Sequence, residues 1–291
     1  MDPKKLLEQA QKLEAAATGS SFLGFLSGSK SDKVEEAVEA YTKAANAFRT
    51  SGQGLESGAA FEKAATLSKS INEHNDAAGY LAEAFKAYKR TNPQRAAACM
   101  DQAIQHYAIT NIRRAATNKQ TLAELYEVDI GDKARAVQEY EKAGEWYEND
   151  NAEALANKCF LKAADLYADI GQPERSFPIY EKIAEASLNN NLMKWSVKEY
   201  LFKAALCHLA TKDVVATKRA LAQYPALEPQ FQGSMEHLFL VNLLECVENG
   251  EPDKFFQNVM QYKNRYPLDV WKLDLLAKTQ KSIEEAADDL T

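Results

Sequence analysis

One apolar position, held by alanine in every case but one, returns at near-constant spacing down most of this chain. The series is Ala44, Ala64, Ala84, Ala103, Ala123, Ala143, Ala163, Ile183 and Ala204. A fixed period of about 20 residues marks a repeated supersecondary unit, and it constrains the fold more than any single motif does. Within each period apolar residues fall at i, i+3, i+4 and i+7 or close to it. Examples are Ala37, Tyr41, Ala44 and Phe48, then Ala77, Leu81, Ala84 and Tyr88, then Ala136, Tyr140, Ala143 and Tyr147, then Ala156, Phe160, Ala163 and Tyr167. That pattern is the buried stripe of an α-helix. One period therefore holds a helix and its turn, and two periods hold a helical hairpin of about 40 residues.

Turn-forming residues separate the stripes: Ser51-Gly52-Gln53-Gly54, Asn92-Pro93, Ile130-Gly131-Asp132, Gly171-Gln172-Pro173 and Asn189-Asn190-Asn191. Connections this short force neighbouring helices antiparallel, and alanines let them approach closely. The expected fold is all-α, a tetratricopeptide-like superhelical stack of antiparallel helix hairpins closed by a C-terminal helical bundle. The solenoid is expected over residues 1–211, including an apolar loop at 20–29. A helix over Pro173–Ser187 contains Pro178, which should kink it or delay its regular start. After Lys212 the alternation fades, and Tyr224-Pro225 with Glu228-Pro229 reads as a longer connector. Helices over about Met235–Glu248, Pro252–Arg265 and Leu268–Glu285 then form the bundle, residues 212–283, ahead of an acidic, mobile tail at 284–291.

Composition narrows the functional classes. Among 291 residues there are 12 glycines and 8 prolines, and alanine fills roughly one position in six, which disfavours sandwiches and barrels. The 35 Lys and Arg against 42 Asp and Glu leave a net charge of −7, so no nucleic-acid partner is expected. Cys99, Cys159, Cys207 and Cys246 are too far apart in sequence for a paired metal or redox motif and read as free core thiols. His74, His106, His208 and His237 are isolated, and phosphate-loop, HExxH and GxSxG motifs are missing. The reading is of a chain that is not an enzyme and takes no cofactor or metal. The N-terminus shows neither a secretory signal nor a spanning segment, which places the protein in the cytosol.

Function is therefore sought on surfaces, and three candidates carry two readings each. Phe22, Leu23, Phe25 and Leu26 lie in a Gly/Ser loop. They either pack back on the first hairpin or form an apolar finger for a membrane interface or partner groove, a contact too small to hold alone. Lys119 and Lys158 are 39 residues apart and Lys162 and Lys203 are 41 apart, close to one hairpin in each case. Arg113 and Arg114 begin the Lys119 helix. These are either solvated cations or a basic stripe suited to an elongated acidic partner. Glu284, Glu285, Asp288 and Asp289 precede Leu290. They are either a solubilising tail or an acidic handle with one apolar plug.

Several strings are more specific than the repeat itself: Ala143-Gly144-Glu145-Trp146-Tyr147, Asn157-Lys158-Cys159-Phe160-Leu161-Lys162, Glu199-Tyr200-Leu201-Phe202-Lys203 running on to Cys207, Leu268-Asp269-Val270-Trp271-Lys272, and Asp288-Asp289-Leu290-Thr291. On these the chain resembles the soluble NSF attachment proteins, the α-SNAP family, over nearly its whole length. The resemblance implies an adaptor that binds the SNARE four-helix bundle through a basic face. It would recruit and stimulate the hexameric ATPase NSF for SNARE disassembly in membrane fusion. It implies SNARE contact by Lys158, Lys162 and Lys203, with Lys119, Arg113 and Arg114 beside them, and membrane attachment by Phe22, Leu23, Phe25 and Leu26. Glu245 and Glu248, with Glu284, Glu285, Asp288 and Asp289, fall where the family presents charge to NSF, and Leu290 matches its penultimate leucine. Met235 departs from the arginine more usual there. The free protein is expected to be a monomer that meets membranes peripherally, several copies gathering around one bundle. The alternative is a tetratricopeptide co-chaperone that clamps an extended peptide.

Overall fold

The computed structural model describes residues 2–18, 30–188 and 194–288. Among these residues there are fourteen α-helices and no strand. The chain divides into two compact units, Met1–Cys159 and Phe160–Thr291.

The first unit holds α1 (Pro3–Thr18), α2 (Lys30–Thr50), α3 (Gly54–Ser70), α4 (His74–Tyr88), α5 (Pro93–Thr110), α6 (Ile112–Glu124) and α7 (Lys133–Asn149). Each packs on the next. Thr110, ending α5, donates to Asn75 at the start of α4 at 3.0 Å, as antiparallel neighbours require, and Arg49 near the end of α2 pairs with Glu83 of α4, two helices on, at 2.8 Å. The expected period is met: Ala44, Ala64, Ala84, Ala103, Ala123 and Ala143 fall on successive helices, and each is wholly buried. Close packing is sharpest at Gly58, where a Cβ would lie 2.4 Å from the Tyr88 ring. Gly131 closes α6 and a π-helical turn, Leu125–Ile130, at φ 79°, a left-handed conformation that favours glycine.

A second repeat lies at the helix starts. The Asn92, Asn111 and Asp132 side chains accept the backbone N–H of Arg95, Arg114 and Arg135 at 3.1, 2.9 and 3.0 Å. Each capped turn aims its arginine at a tyrosine of the preceding segment. Arg95 lies 4.9 Å above Tyr88, Arg114 4.5 Å above Tyr107 and Arg135 5.3 Å above Tyr126. Capping satisfies free N–H groups, and the cation over the ring adds about 0.5–1 kcal/mol at such exposed sites.

The boundary between units falls within α8 (Glu153–Asp169). The second unit continues with α9 (Pro173–Leu188), α10 (Val197–Ala210), α11 (Val214–Leu227), α12 (Met235–Asn249), α13 (Pro252–Lys263) and α14 (Val270–Asp288). Its division from the first unit lies ahead of the change in composition at Lys212, because α9 and α10 share a core with the later helices. Tyr180, Leu201 and Phe202 join Phe231, Phe239, Leu240, Phe255 and Leu276 in it. Pro178 stands inside α9, which is helical from Pro173 onward.

One expectation is corrected. Tyr224 and Pro225 belong to α11, not to a connector. Buried Tyr224 donates its hydroxyl to Glu181 of α9 at 2.7 Å, and that long-range anchor overrides the local preference of Tyr-Pro for an extended turn. Glu228-Pro229 does break the helix, and Pro229–Phe231 forms a 3-10 turn.

Candidate functional site

The basic residues picked out by spacing have different surroundings. In the first unit, Lys119 on α6 is paired with Glu139 of α7, and only 16% of its side chain is exposed. Its ammonium also faces the Trp146 ring at 5.9 Å. Asp101 of α5 completes this cluster: burial and the Glu139 charge push its carboxyl up, against the pull of Lys119 and Arg135. Arg113 pairs with Asp150, and Arg114 is spent on Tyr107. Lys158 on α8 is exposed.

In the second unit Lys162 on α8 is exposed, while Lys203 on α10 is again 16% exposed. Lys203 lies 2.5 Å from Asp165 Oδ1, 4.5 Å from the Trp271 ring and 5.5 Å from the Tyr180 ring. The ladder thus has two kinds of rung. Lys158 and Lys162 are exposed, whereas Lys119 and Lys203 are largely covered and each is paired with a neighbouring carboxylate.

Carboxylates proposed from sequence also gain surroundings. Glu245 and Glu248 are exposed on α12 and line a groove of about 560 Å³ with Lys218, Leu221, Pro225 and Val241. Lys218 reaches both Glu248 oxygens, at 2.6 and 2.8 Å. Glu284 and Glu285 are exposed on the last turns of α14, and Lys281 lies 3.6 Å from Glu285. Asp288 is the final residue of α14. Asp289 and Leu290 lie outside the described residues, as do Phe22, Leu23, Phe25 and Leu26. Met235 opens α12 and lines a smaller groove of about 180 Å³ with Leu238, Tyr262 and Arg265.

The isolated histidines and cysteines have packing partners. His208 stacks on Phe177 at 3.7 Å between centroids and bonds Glu181 at 3.1 Å, and His74 stacks on His106 at 5.3 Å. All four cysteines are buried, and desolvation pushes the thiols of Cys99 and Cys207 up to about 12 and that of Cys159 to about 11. Such thiols are poor nucleophiles. Among the described residues no three His, Cys, Asp or Glu side chains are grouped to hold a metal, and no helix is long and apolar enough to cross a membrane.

Comparison with known proteins decides what this all-helical chain is. The family model described as soluble NSF attachment protein, SNAP, matches residues 1–284. The chain belongs to the soluble NSF attachment protein family. A probable vesicular-fusion protein sec17 homolog of Neurospora crassa is 42% identical over 293 residues, covering 100% of this chain and 99% of that protein. The Schizosaccharomyces pombe protein of the same description is 41% identical over 291 residues, with 100% and 99% covered. The alpha-soluble NSF attachment protein of Saccharomyces cerevisiae is 37% identical over 291 residues, with 99% of each chain covered. The SNAP match takes in α1 to α13 and most of α14, so every described cluster above lies largely or wholly within it.

Sequence spacing alone did not reveal the carboxylates that hold Lys119 and Lys203, nor the role of Trp271. The Leu268–Lys272 string was the available signal, and its side chains turn out to lie on Lys203 and Glu199.

Proposed function

We propose that this SNAP is a non-enzymatic adaptor. It binds assembled SNARE bundles, recruits NSF, stimulates its ATPase, and so supports SNARE disassembly in vesicle trafficking and membrane fusion. The observation that carries this reading is the family match over residues 1–284, joined by full-length relatives described as vesicular-fusion and NSF attachment proteins. It favours an adaptor over a peptide-clamping co-chaperone, which would need only the generic helical hairpins.

Within this reading the exposed Lys158 and Lys162, four residues apart on α8, supply the main attraction for an acidic coiled bundle. Lys119 and Lys203 contribute less, because only 16% of each side chain is exposed, and Arg113 and Arg114 add charge at the start of α6. Glu245, Glu248, Glu284, Glu285, Asp288 and Asp289 present negative charge to NSF, and Leu290 supplies an apolar contact beside them. Phe22, Leu23, Phe25 and Leu26 attach the adaptor peripherally to the cytoplasmic face of a membrane. Burial of a few such side chains is reversible, so attachment depends on simultaneous SNARE binding. Several copies of a monomer around one bundle multiply weak contacts by avidity.

The test is reconstitution of SNARE disassembly with NSF and ATP, with and without this chain. Disassembly should require the chain, and Leu290→Ala should retain SNARE capture while losing ATPase stimulation. Equal disassembly without the chain would reject the adaptor role.

A further inference from the structure

Two of the family-specific strings, Glu199–Lys203 and Leu268–Lys272, are halves of one contact. Asp269 accepts the Lys272 backbone N–H at 2.9 Å, capping the first turn of α14. The Lys272 ammonium is turned inward, with 8% of the side chain exposed. It bridges Asp269 at 2.7 Å and Glu199 of α10 at 2.6 Å, and lies 5.9 Å from the Phe202 ring. One residue earlier, Trp271 donates its indole N–H to the Asp165 carbonyl of α8 at 2.9 Å. The indole ring also covers Lys203, whose ammonium bonds the Asp165 carboxylate, and that carboxylate accepts the Tyr180 hydroxyl of α9. Further along α14, Lys278 donates to the Asp169 carbonyl at the end of α8, at 2.9 Å.

Apolar packing alone lets a helix slide or rotate at modest cost, whereas paired ammonium groups and an indole N–H hold one register, because any shift leaves them unpartnered. We propose that Trp271 and Lys272 are positioning residues that lock the start of α14 onto α8, α9 and α10, so that load applied at the other end of α14 reaches the helix carrying Lys162. This rests on the adaptor reading. Glu284, Glu285 and Asp288 stand at that other end, and a helix of 19 residues spans about 28 Å. The family-specific strings then encode a mechanical joint, and Lys203 serves that joint besides its smaller share in binding the partner.

The experiment compares Lys272→Met and Trp271→Phe with wild type in reconstituted disassembly, scoring SNARE capture, NSF recruitment, ATP hydrolysed and bundles released. Both substitutions keep most of the apolar packing, and Glu199 and Asp269 are about half exposed, so neither carboxylate is stranded in the core. Capture and recruitment should be unchanged, while bundles released per ATP fall about three- to tenfold, within the roughly two- to thirtyfold range for residues that couple two sites. Lys272→Arg should restore the yield, and hydrogen exchange in the first turns of α14 should quicken in Lys272→Met. Leu276→Ala, which loosens the α14 core without touching the joint, should lower thermal stability but keep the yield per ATP. A wild-type yield in both joint variants would overturn the proposal, as would a loss of capture proportional to the loss of disassembly. A wild-type chain that promotes no disassembly would instead overturn the adaptor reading beneath it.

Discussion

Lys119 of α6 is paired with Glu139 of α7, 20 positions further along the chain, and the two side chains shield each other from solvent. Their charges cancel for any distant partner. Lys119→Met is therefore expected to weaken SNARE capture much less than a change at exposed Lys158. Its cost in stability should be about 1–3 kcal/mol, since the substitution keeps the apolar stem but leaves the largely covered Glu139 carboxylate unpaired beside Asp101. Urea unfolding and pull-down on the same variant check both parts, and a loss of capture as large as that of Lys158→Glu would show Lys119 to be a direct contact.

Two helical glycines should respond in opposite directions. Gly58 lies under the Tyr88 ring, and Gly58→Ala should destabilise by about 1–3 kcal/mol through overpacking. Gly79, inside α4, has open space where a Cβ would stand, and Gly79→Ala should stabilise by roughly 0.5–1 kcal/mol through helix propensity. Denaturant midpoints give the two signs directly, and a destabilised Gly79→Ala would contradict the packing described for α4.

Acid sensitivity should involve Glu181. Burial opposes its charge, but hydrogen bonds with His208 and from Tyr224 outweigh that penalty and hold its carboxyl below the ordinary glutamate range. A depressed pKa stabilises the fold fully above the unfolded value, near about 4.3, and that contribution is lost as pH falls through the folded value. Glu181→Gln should cost about 1–2 kcal/mol at neutral pH and lessen the fall in stability below pH about 4.3. Parallel stability curves for variant and wild type down to low pH would remove Glu181 from the acid response.

Local periodicity carried the helices, because burial of one stripe every 3.6 residues writes itself into the chain. Ala44 through Ala204 are core residues on successive helices, as the 20-residue spacing required. What periodicity could not carry was pairing at a distance. Asp165 is 38 residues from Lys203, and Trp271 is 106 residues from the Asp165 carbonyl it bonds, so the caging of Lys203 had no local signal. Tyr224-Pro225 misled for the same reason. Proline's local preference is visible in sequence, whereas the Glu181 anchor that holds Tyr224 in α11 comes from another helix. Asn92-Pro93 and Ile130-Gly131-Asp132 were legible as breaks between helices, but the capping by Asn92, Asn111 and Asp132 and the arginines set over the preceding tyrosines appear only in the folded chain.

The proposed role assigns the grip on the partner to Lys158 and Lys162, and its most direct measurement is capture of an assembled SNARE complex by wild type and by Lys158→Glu with Lys162→Glu, at low and at moderate salt. Wild-type binding should weaken as salt rises, and the double variant should lose at least about tenfold in affinity, about 1.4 kcal/mol, with its helical content intact. Equal capture by the two proteins at both salt concentrations would contradict the electrostatic grip.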